Sequence, residues 1–206
     1  DKPLIAYTIE AALKSEMISK TIVSSDDDEI LEISKYYGAE VLKRPYEFAQ
    51  DTSSSEDAIY HVLKTLKSSG EEFDIFVLLQ PTSPLRDSDD VDNAISIMLN
   101  NKASAVISVV NIGVKPFKSY YLNQDGFLQG VHSNKSPNMR RQELPDAYLA
   151  NGAIYATYVD DFLQSKSLIP DRSIPYLMSN EKSIDIDVIE DVEIVEKRIK
   201  ESNSVS

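Results

Sequence analysis

The chain contains no cysteine and no tryptophan, only two histidines, and six glycines. Without cysteine there is no disulfide scaffold, no thiol nucleophile and no thiolate metal site. His61 and His132 alone supply a His-built zinc centre or a Ser-His-Asp triad poorly. Positive charge is also scarce: 21 Lys plus Arg stand against 34 Asp plus Glu, a net charge of −13. So acidic a surface argues against nucleic acid and against an anionic membrane as partner, and makes each arginine informative. No apolar run approaches the ~18 to 20 residues that span a bilayer, and the start carries no signal-peptide cleavage pattern. The expectation is a cytoplasmic protein. With 206 residues, 42% hydrophobic and 27% charged, the balance is that of one globular domain with at most a small appendage.

From Pro3 to Glu16 the apolar residues Ile5, Ile9, Ala12 and Leu13 recur at helical spacing. Lys20 to Ser25 is a short β-branched run ending in Asp26, Asp27 and Asp28, which predicts a strand feeding a helix with acids at its N-terminus. That helix is predicted over 28–37 with Gly38 as its stop, and Ala39–Leu42 as a further strand. Such alternation marks a parallel sheet with crossover helices. A helix over 52–69 follows. Phe73–Leu79 (FDIFVLL) is a nearly unbroken apolar run, which predicts a central strand covered on both sides. A helix over 91–99 and a strand over 105–110 continue the pattern.

Between 112 and 150 the rhythm breaks. Pro116, Pro137 and Pro145, an Asp125-Gly126 turn signal and three tyrosines predict a hairpin with loops and no helix. Parallel-sheet logic returns over Gly152–Thr157, and a helix over about 191–201 closes the chain. The expected organisation is an α/β domain from 1–111 and 151–206 with 112–150 inserted. Open α/β sheets bind ligands beyond the carboxyl ends of their strands, so residues after Ser25, Leu42, Leu79 and Val110 are the candidates.

Several of those loops carry chemistry. LLQPTSPLR (78–86) is a strand followed by a rigid loop holding an amide, two hydroxyls and a guanidinium. It suits a polyhydroxylated ligand, or else is a proline-stiffened turn with Arg86 in a surface ion pair. Lys43-Arg44-Pro45 with Asp51-Thr52-Ser53-Ser54-Ser55 could hold a base or phosphate at a helix N-terminus, or form a plain N-cap beside a solvated basic pair. Asp185 and Asp187, at i and i+2 in SIDID, share one face if extended, with Cα atoms roughly 6.6 Å apart. They could hold a hard cation such as Mg²⁺, or form the polar face of an edge strand. Arg140-Arg141 could clamp a carboxylate bidentately or be solvated. His61 reads as a core or boundary residue, and Asp26–Asp28 as a helix start.

LLQPTSPLR, RRQELPDAYLANGAIYAT and SIDID with Asp191 four residues on, supported by KPLIAYTIEAAL and by KRP with DTSSS, resemble the acylneuraminate cytidylyltransferase family, in order from Lys2 to about Glu196. The resemblance implies a Rossmann-like three-layer αβα nucleotidyltransferase fold with an inserted hairpin arm that makes a domain-swapped homodimer. It implies a reaction in which CTP and an acidic nine-carbon sugar give the CMP-sugar and pyrophosphate, with Mg²⁺. By motif match, Asp185 and Asp187 hold the metal. Arg44 and a hydroxyl among Ser53–Ser55, most plausibly Ser55, lie at the cytidine pocket; Gln80 and Tyr155 contact the sugar; Lys118 and Arg141 reach it from the partner subunit. In that family a strand and a glycine-containing basic loop that grips the triphosphate precede the KPL stretch. The resemblance therefore implies such a segment ahead of Asp1, since no Gly-rich phosphate loop occurs in the 206 residues. The same chemistry on legionaminic or pseudaminic acid, and a non-catalytic nucleotide-binding or dimerisation relative without that loop, are the competing readings.

Overall fold

The structure, a computed structural model, describes residues 2–50 and 52–203; Asp51, part of the hydroxyl-rich stretch read above, and the tail 204–206 lie outside them. Helix α1 (Leu4–Lys14) buries Ala6, Ile9, Ala11 and Ala12, while Leu13 is exposed. Strand β1 (Ile22–Ser25), helix α2 (Asp28–Tyr36) and strand β2 (Glu40–Lys43) follow. The aspartates start α2 as expected: the Asp27 carboxylate accepts from the Ile30 N–H at 3.0 Å. Gly38, at φ +96°, ends it. Helix α3 (Ser55–Ser68) leads to β3 (Ile75–Leu78), α4 (Ser88–Asn100) and β4 (Ala105–Gly113). Then come α5 (Lys115–Lys118), the hairpin β5 (Tyr120–Leu122) and β6 (Leu128–Gly130), and the long β7 (Ala147–Tyr158). Helix α6 (Val159–Ser165), β8 (Ser173–Leu177) and α7 (Ile189–Asn203) complete the chain. None of the described helices is long and apolar enough to cross a membrane.

β1 and β2 pair in parallel as a two-stranded sheet. The main sheet has the order β3-β7-β4-β8, with β4 and β8 parallel and β7 antiparallel to both β3 and β4. The expected parallel return over 152–157 is thus corrected. No crossover helix carries the chain back between β4 and β7, so β7 enters from the end where β4 left and must run the other way. The run FDIFVLL is corrected too. β3 pairs with β7 alone among the described strands, so it is an edge strand and not a central one, although its half-buried residues are covered on both faces as expected. The inserted region holds the predicted hairpin, but it also holds the four-residue α5, with Pro116 in its first turn where a missing N–H costs nothing.

Helices cover both faces of the main sheet. Val91, Ala94, Ile95 and Met98 of α4 pack on Val106, Ile154 and Ala156, with Ile75 and Val77 at the margin. The alternate residues Phe76, Leu78 and Tyr155 face Ile59 of α3 and Phe162 of α6 instead. Three layers result, and residues at the end of β3 and in the middle of β7 fall on the line where they meet. Asp92 joins α1 to α4, accepting from the Ser15 hydroxyl and, at 3.0 Å, from the Glu16 N–H.

Candidate active site

The loop after β3 is fastened from below. Arg86 is 2% exposed; its guanidinium donates to the carbonyls of Ser83 and Gln80 and to the Thr8 hydroxyl of α1, each at 2.9 Å. Burial pushes its pKa down to about 10, with Asp90 acting the other way, so it stays charged at neutral pH. Arg86 is therefore neither a ligand group nor part of a surface ion pair; it shapes the loop that presents Gln80 and Ser83.

Gln80, Ser83 and Asp185 converge on one backbone atom. A Cβ built on Gly152 would overlap Gln80 Oε1 and lie 3.2 Å from Ser83 Oγ and 3.5 Å from Asp185 Oδ2. Gly152 is held at φ +73°, where side-chain-bearing residues are disfavoured. The Ile186 N–H donates to the Thr82 carbonyl at 2.9 Å and docks the Asp185 segment on the loop after β3. Tyr155 lies three residues further along β7, opposite Leu78 of β3. Burial, then the negative charges of Asp185 and Glu56, push its hydroxyl pKa up, so it remains a proton-bearing donor.

The acidic motif SIDID is not a strand. Residues 182–188 have no regular secondary structure, so the edge strand expected to put both carboxylates on one face is not formed. Asp185 is half-buried, whereas Asp187 is exposed with its N–H donating to the Asp191 carboxylate at 3.0 Å. Pairing with β8 stops at Leu177, because the polar run from Ser179 is drawn instead onto the loop after β3 and onto the start of α4. There Lys182 Nζ lies 2.6 Å from Asp87 and 2.8 Å from Asp90, and Tyr176 donates to Asp90 at 3.0 Å. Among the described residues no group of three or more His, Cys, Asp and Glu could hold a metal by itself. The carboxylates of Asp185 and Asp187 have the donor chemistry of an Mg²⁺ site, since that ion takes one or two carboxylates and fills its shell with water and substrate phosphate.

The other predicted residues are more scattered. Arg44 follows β2 and folds back on β1, donating to the Ser24 hydroxyl at 3.2 Å and to the Ser24 carbonyl. At the start of α3, Ser54 is the N-cap in a capping box with Asp57, and Ser53 Oγ accepts from the Gln50 N–H at 3.1 Å. Ser55 is exposed and takes no part in either local task. Lys118 donates to the carbonyls of Pro137 and Met139 and so braces the arm, and Arg141 is exposed on a short 3-10 turn. Neither touches Gln80, Tyr155 or Asp185 within the single chain. His61 is a boundary residue against Phe48, and His132 stacks edge-on against Phe117. Sequence reasoning included Ser83 only as a hydroxyl of the LLQPTSPLR loop and missed Asn151 and Gly152. Asn151-Gly152 inside an apolar strand run was the available signal.

The cytidylyltransferase family profile matches residues 1–200. The chain belongs to the cytidylyltransferase family. It is 36% identical over 200 residues to the N-acylneuraminate cytidylyltransferase of Escherichia coli, covering 94% of this chain and 45% of that protein. It is 32% identical over 198 residues to the CMP-N,N'-diacetyllegionaminic acid synthase of Legionella pneumophila, 95% and 84% of the two chains. The pseudaminic acid cytidylyltransferase of Campylobacter jejuni is 28% identical over 193 residues, 93% and 83% of the two chains. The chain thus spans about half the length of the N-acylneuraminate enzymes it matches. Among solved structures, a CMP:2-keto-3-deoxy-manno-octonic acid synthetase superposes with TM-score 0.69 at 18% identity, over 97% of this chain and 88% of that one. That likeness bears out the nucleotidyltransferase fold.

Proposed function

We propose that this chain joins CTP to a sialic-acid-like nine-carbon acid sugar, giving the CMP-sugar and pyrophosphate. The observation that carries the reading is the convergence of Gln80, Ser83 and Asp185 over Gly152, beside the protonated Tyr155 hydroxyl. An amide, two hydroxyls and a carboxylate at the end of a strand suit a polyhydroxylated ligand next to a phosphate. The sugar's anomeric hydroxyl attacks the α-phosphorus; a new O–P bond forms, the bond from the α-phosphorus to the oxygen bridging it to the β-phosphate breaks, that oxygen leaves with pyrophosphate, and the hydroxyl proton passes to solvent. Asp185 and Asp187 would hold Mg²⁺, which supplies charge stabilisation to the phosphate oxygens. Gln80 and Tyr155 orient the sugar, and Arg44 with Ser55 lines the cytidine side. Ser53 and Ser54 are spent on the turn and the cap, which favours Ser55 for that role.

The arm supports a homodimer. Phe127 is 71% exposed and Leu122 and Leu128 are 68% exposed, on a two-stranded hairpin too small to be stable alone. A second copy covering it would bring Lys118 and Arg141 toward the neighbouring site, where their charge matches a sugar carboxylate. Legionaminic and pseudaminic acids are the second substrate reading, favoured by relatives at 32% and 28% identity.

The test is pyrophosphate release by the full-length protein from CTP, Mg²⁺ and each acid sugar in turn. N-acetylneuraminic acid should be used with the highest kcat/KM. Asp187→Asn should lower kcat by about 100-fold with an unchanged melting temperature. A fully active Asp187→Asn enzyme would remove Asp187 from the metal site.

A further inference from the structure

β4 and β7 fall out of step in the middle of the sheet. Ile107 faces Tyr155 and Val109 faces Ala150, so Ser108 alone stands opposite the four residues Asn151–Ile154. Ser108 is completely buried. Its hydroxyl donates to Asn151 Oδ1 at 2.6 Å and accepts from the Ile154 N–H at 2.7 Å, closing the bulge. Asn151, 5% exposed, spends its whole amide. Oδ1 also accepts from the Ala153 N–H at 3.3 Å, and Nδ2 donates to Ser183 Oγ at 2.9 Å and to Met178 Sδ at 3.3 Å. The Ser183 hydroxyl donates to the Ser179 carbonyl at 2.7 Å, and the Asn151 carbonyl accepts from Ser83 Oγ at 3.0 Å.

From this network we infer that Asn151 is a positioning residue for Asp185, acting through Ser183. The argument is one of cost. A buried amide and a buried hydroxyl inside a sheet are tolerable only when every donor and acceptor is used, and here they are used to join three segments distant in sequence. Ser183 stands two residues before Asp185 in a segment with no secondary structure of its own. The same bulge turns Gly152 up against Gln80 and Ser83. One side chain thus sets the floor of the site through Gly152 and the height of the carboxylate through Ser183. The inference deepens the proposed reaction and rests on it for its purpose, but the tether itself can be tested without substrate.

The amide of Ile186, bonded to the Thr82 carbonyl, reports whether the segment is docked. In Ser183→Ala its hydrogen exchange should quicken about tenfold in metal-free protein, while amides in α2 keep their wild-type rates. Ser183→Thr, which keeps the hydroxyl, should restore slow exchange. With CTP and the acid sugar, Ser183→Ala should raise the Mg²⁺ concentration for half-maximal rate about tenfold and leave the KM for CTP within twofold. Asn151→Ala should give the same two effects, and the double variant no more than either alone. Wild-type exchange at Ile186 in a folded Ser183→Ala protein would overturn the inference. Quickened exchange in Ser183→Ala, with the full-length wild type inactive on every acid sugar, would uphold the tether and overturn the proposed reaction.

Discussion

Replacing Gly152 by alanine tests the geometry of the site directly. At φ +73° an L-residue pays about 1–2 kcal/mol for the left-handed backbone. The added methyl group meets three neighbours of different freedom. Gln80 is half-buried at the end of a strand, and its amide can swing away. Ser83, fully buried and bonded to the Asn151 carbonyl, cannot yield, and at 3.2 Å the contact is tighter than van der Waals distance. Overpacking of this kind adds about 1 kcal/mol, for a total of about 2–3 kcal/mol. In a domain of this size that lowers Tm by about 5–10 °C. The kinetic consequence is separable, because the displaced Gln80 amide should raise the KM for the acid sugar by about tenfold, with the KM for CTP little changed. In a Gln80→Ala background the same substitution should keep most of its Tm cost and lose its effect on KM. Thermal melts with steady-state kinetics on the four proteins of this cycle measure both quantities. A Gly152→Ala protein that melts within about 1 °C of wild type and binds sugar normally would refute the close approach.

Two further outcomes follow from charge and from exposed apolar surface. Burial opposes the charge on Lys182, but its hydrogen bonds to Asp87 and Asp90 win and hold its pKa above the ordinary 10.5; Asp87 is held below 3.8 despite burial by its bond from Lys182 and by the Asp90 N–H. A depressed carboxyl stabilises above its unfolded pKa and loses that contribution as pH falls through the folded value. A raised ammonium stabilises below its unfolded pKa and loses it as pH rises through the folded value. The clamp should therefore contribute evenly from about pH 4 to 10 and fade beyond both limits. Lys182→Met should cost about 1 kcal/mol on that plateau and flatten both flanks, as read by Tm against pH. On the arm, Leu128→Asp should shift the full-length protein from dimer to monomer in sedimentation and reduce turnover, because Lys118 and Arg141 would no longer reach a neighbouring site. A monomeric variant with full activity would remove those two residues from the site.

Much of the fold could be read from local pattern. Helices announce themselves by spacing, and α2 and its glycine stop fell where the aspartates and Gly38 put them. Strand direction did not, because hydrophobic pattern says which residues are buried and nothing about which way the chain runs. An apolar run such as Ile75–Leu78 reads the same whether it is central or has one neighbour. α6 and β8 went unread for a related reason. Both are short, and Pro175 inside β8 breaks up the pattern that would have marked that strand.

The site was legible as an inventory and not as an arrangement. Gln80, Tyr155 and Asp185 were chosen by chemistry and motif, and the fold brings those three together. What holds them in position is a second set, Arg86, Asn151, Ser83 and Ser108, each buried and each hydrogen-bonded to backbone or to another member. Polar residues of this kind look like loop or surface residues in a sequence, because burial is not written in their type. Arg86 is the clearest case. In so acidic a chain a lone arginine after a strand invites an anion, yet the two terminal nitrogens of the guanidinium already donate to two loop carbonyls and to the Thr8 hydroxyl of α1. A buried cation that binds no ligand still governs the ligand site, since it sets the path of the chain between Gln80 and Ser83. For this family the informative question about a polar residue near the site is therefore which backbone carbonyls it occupies, before asking which substrate atom it could reach.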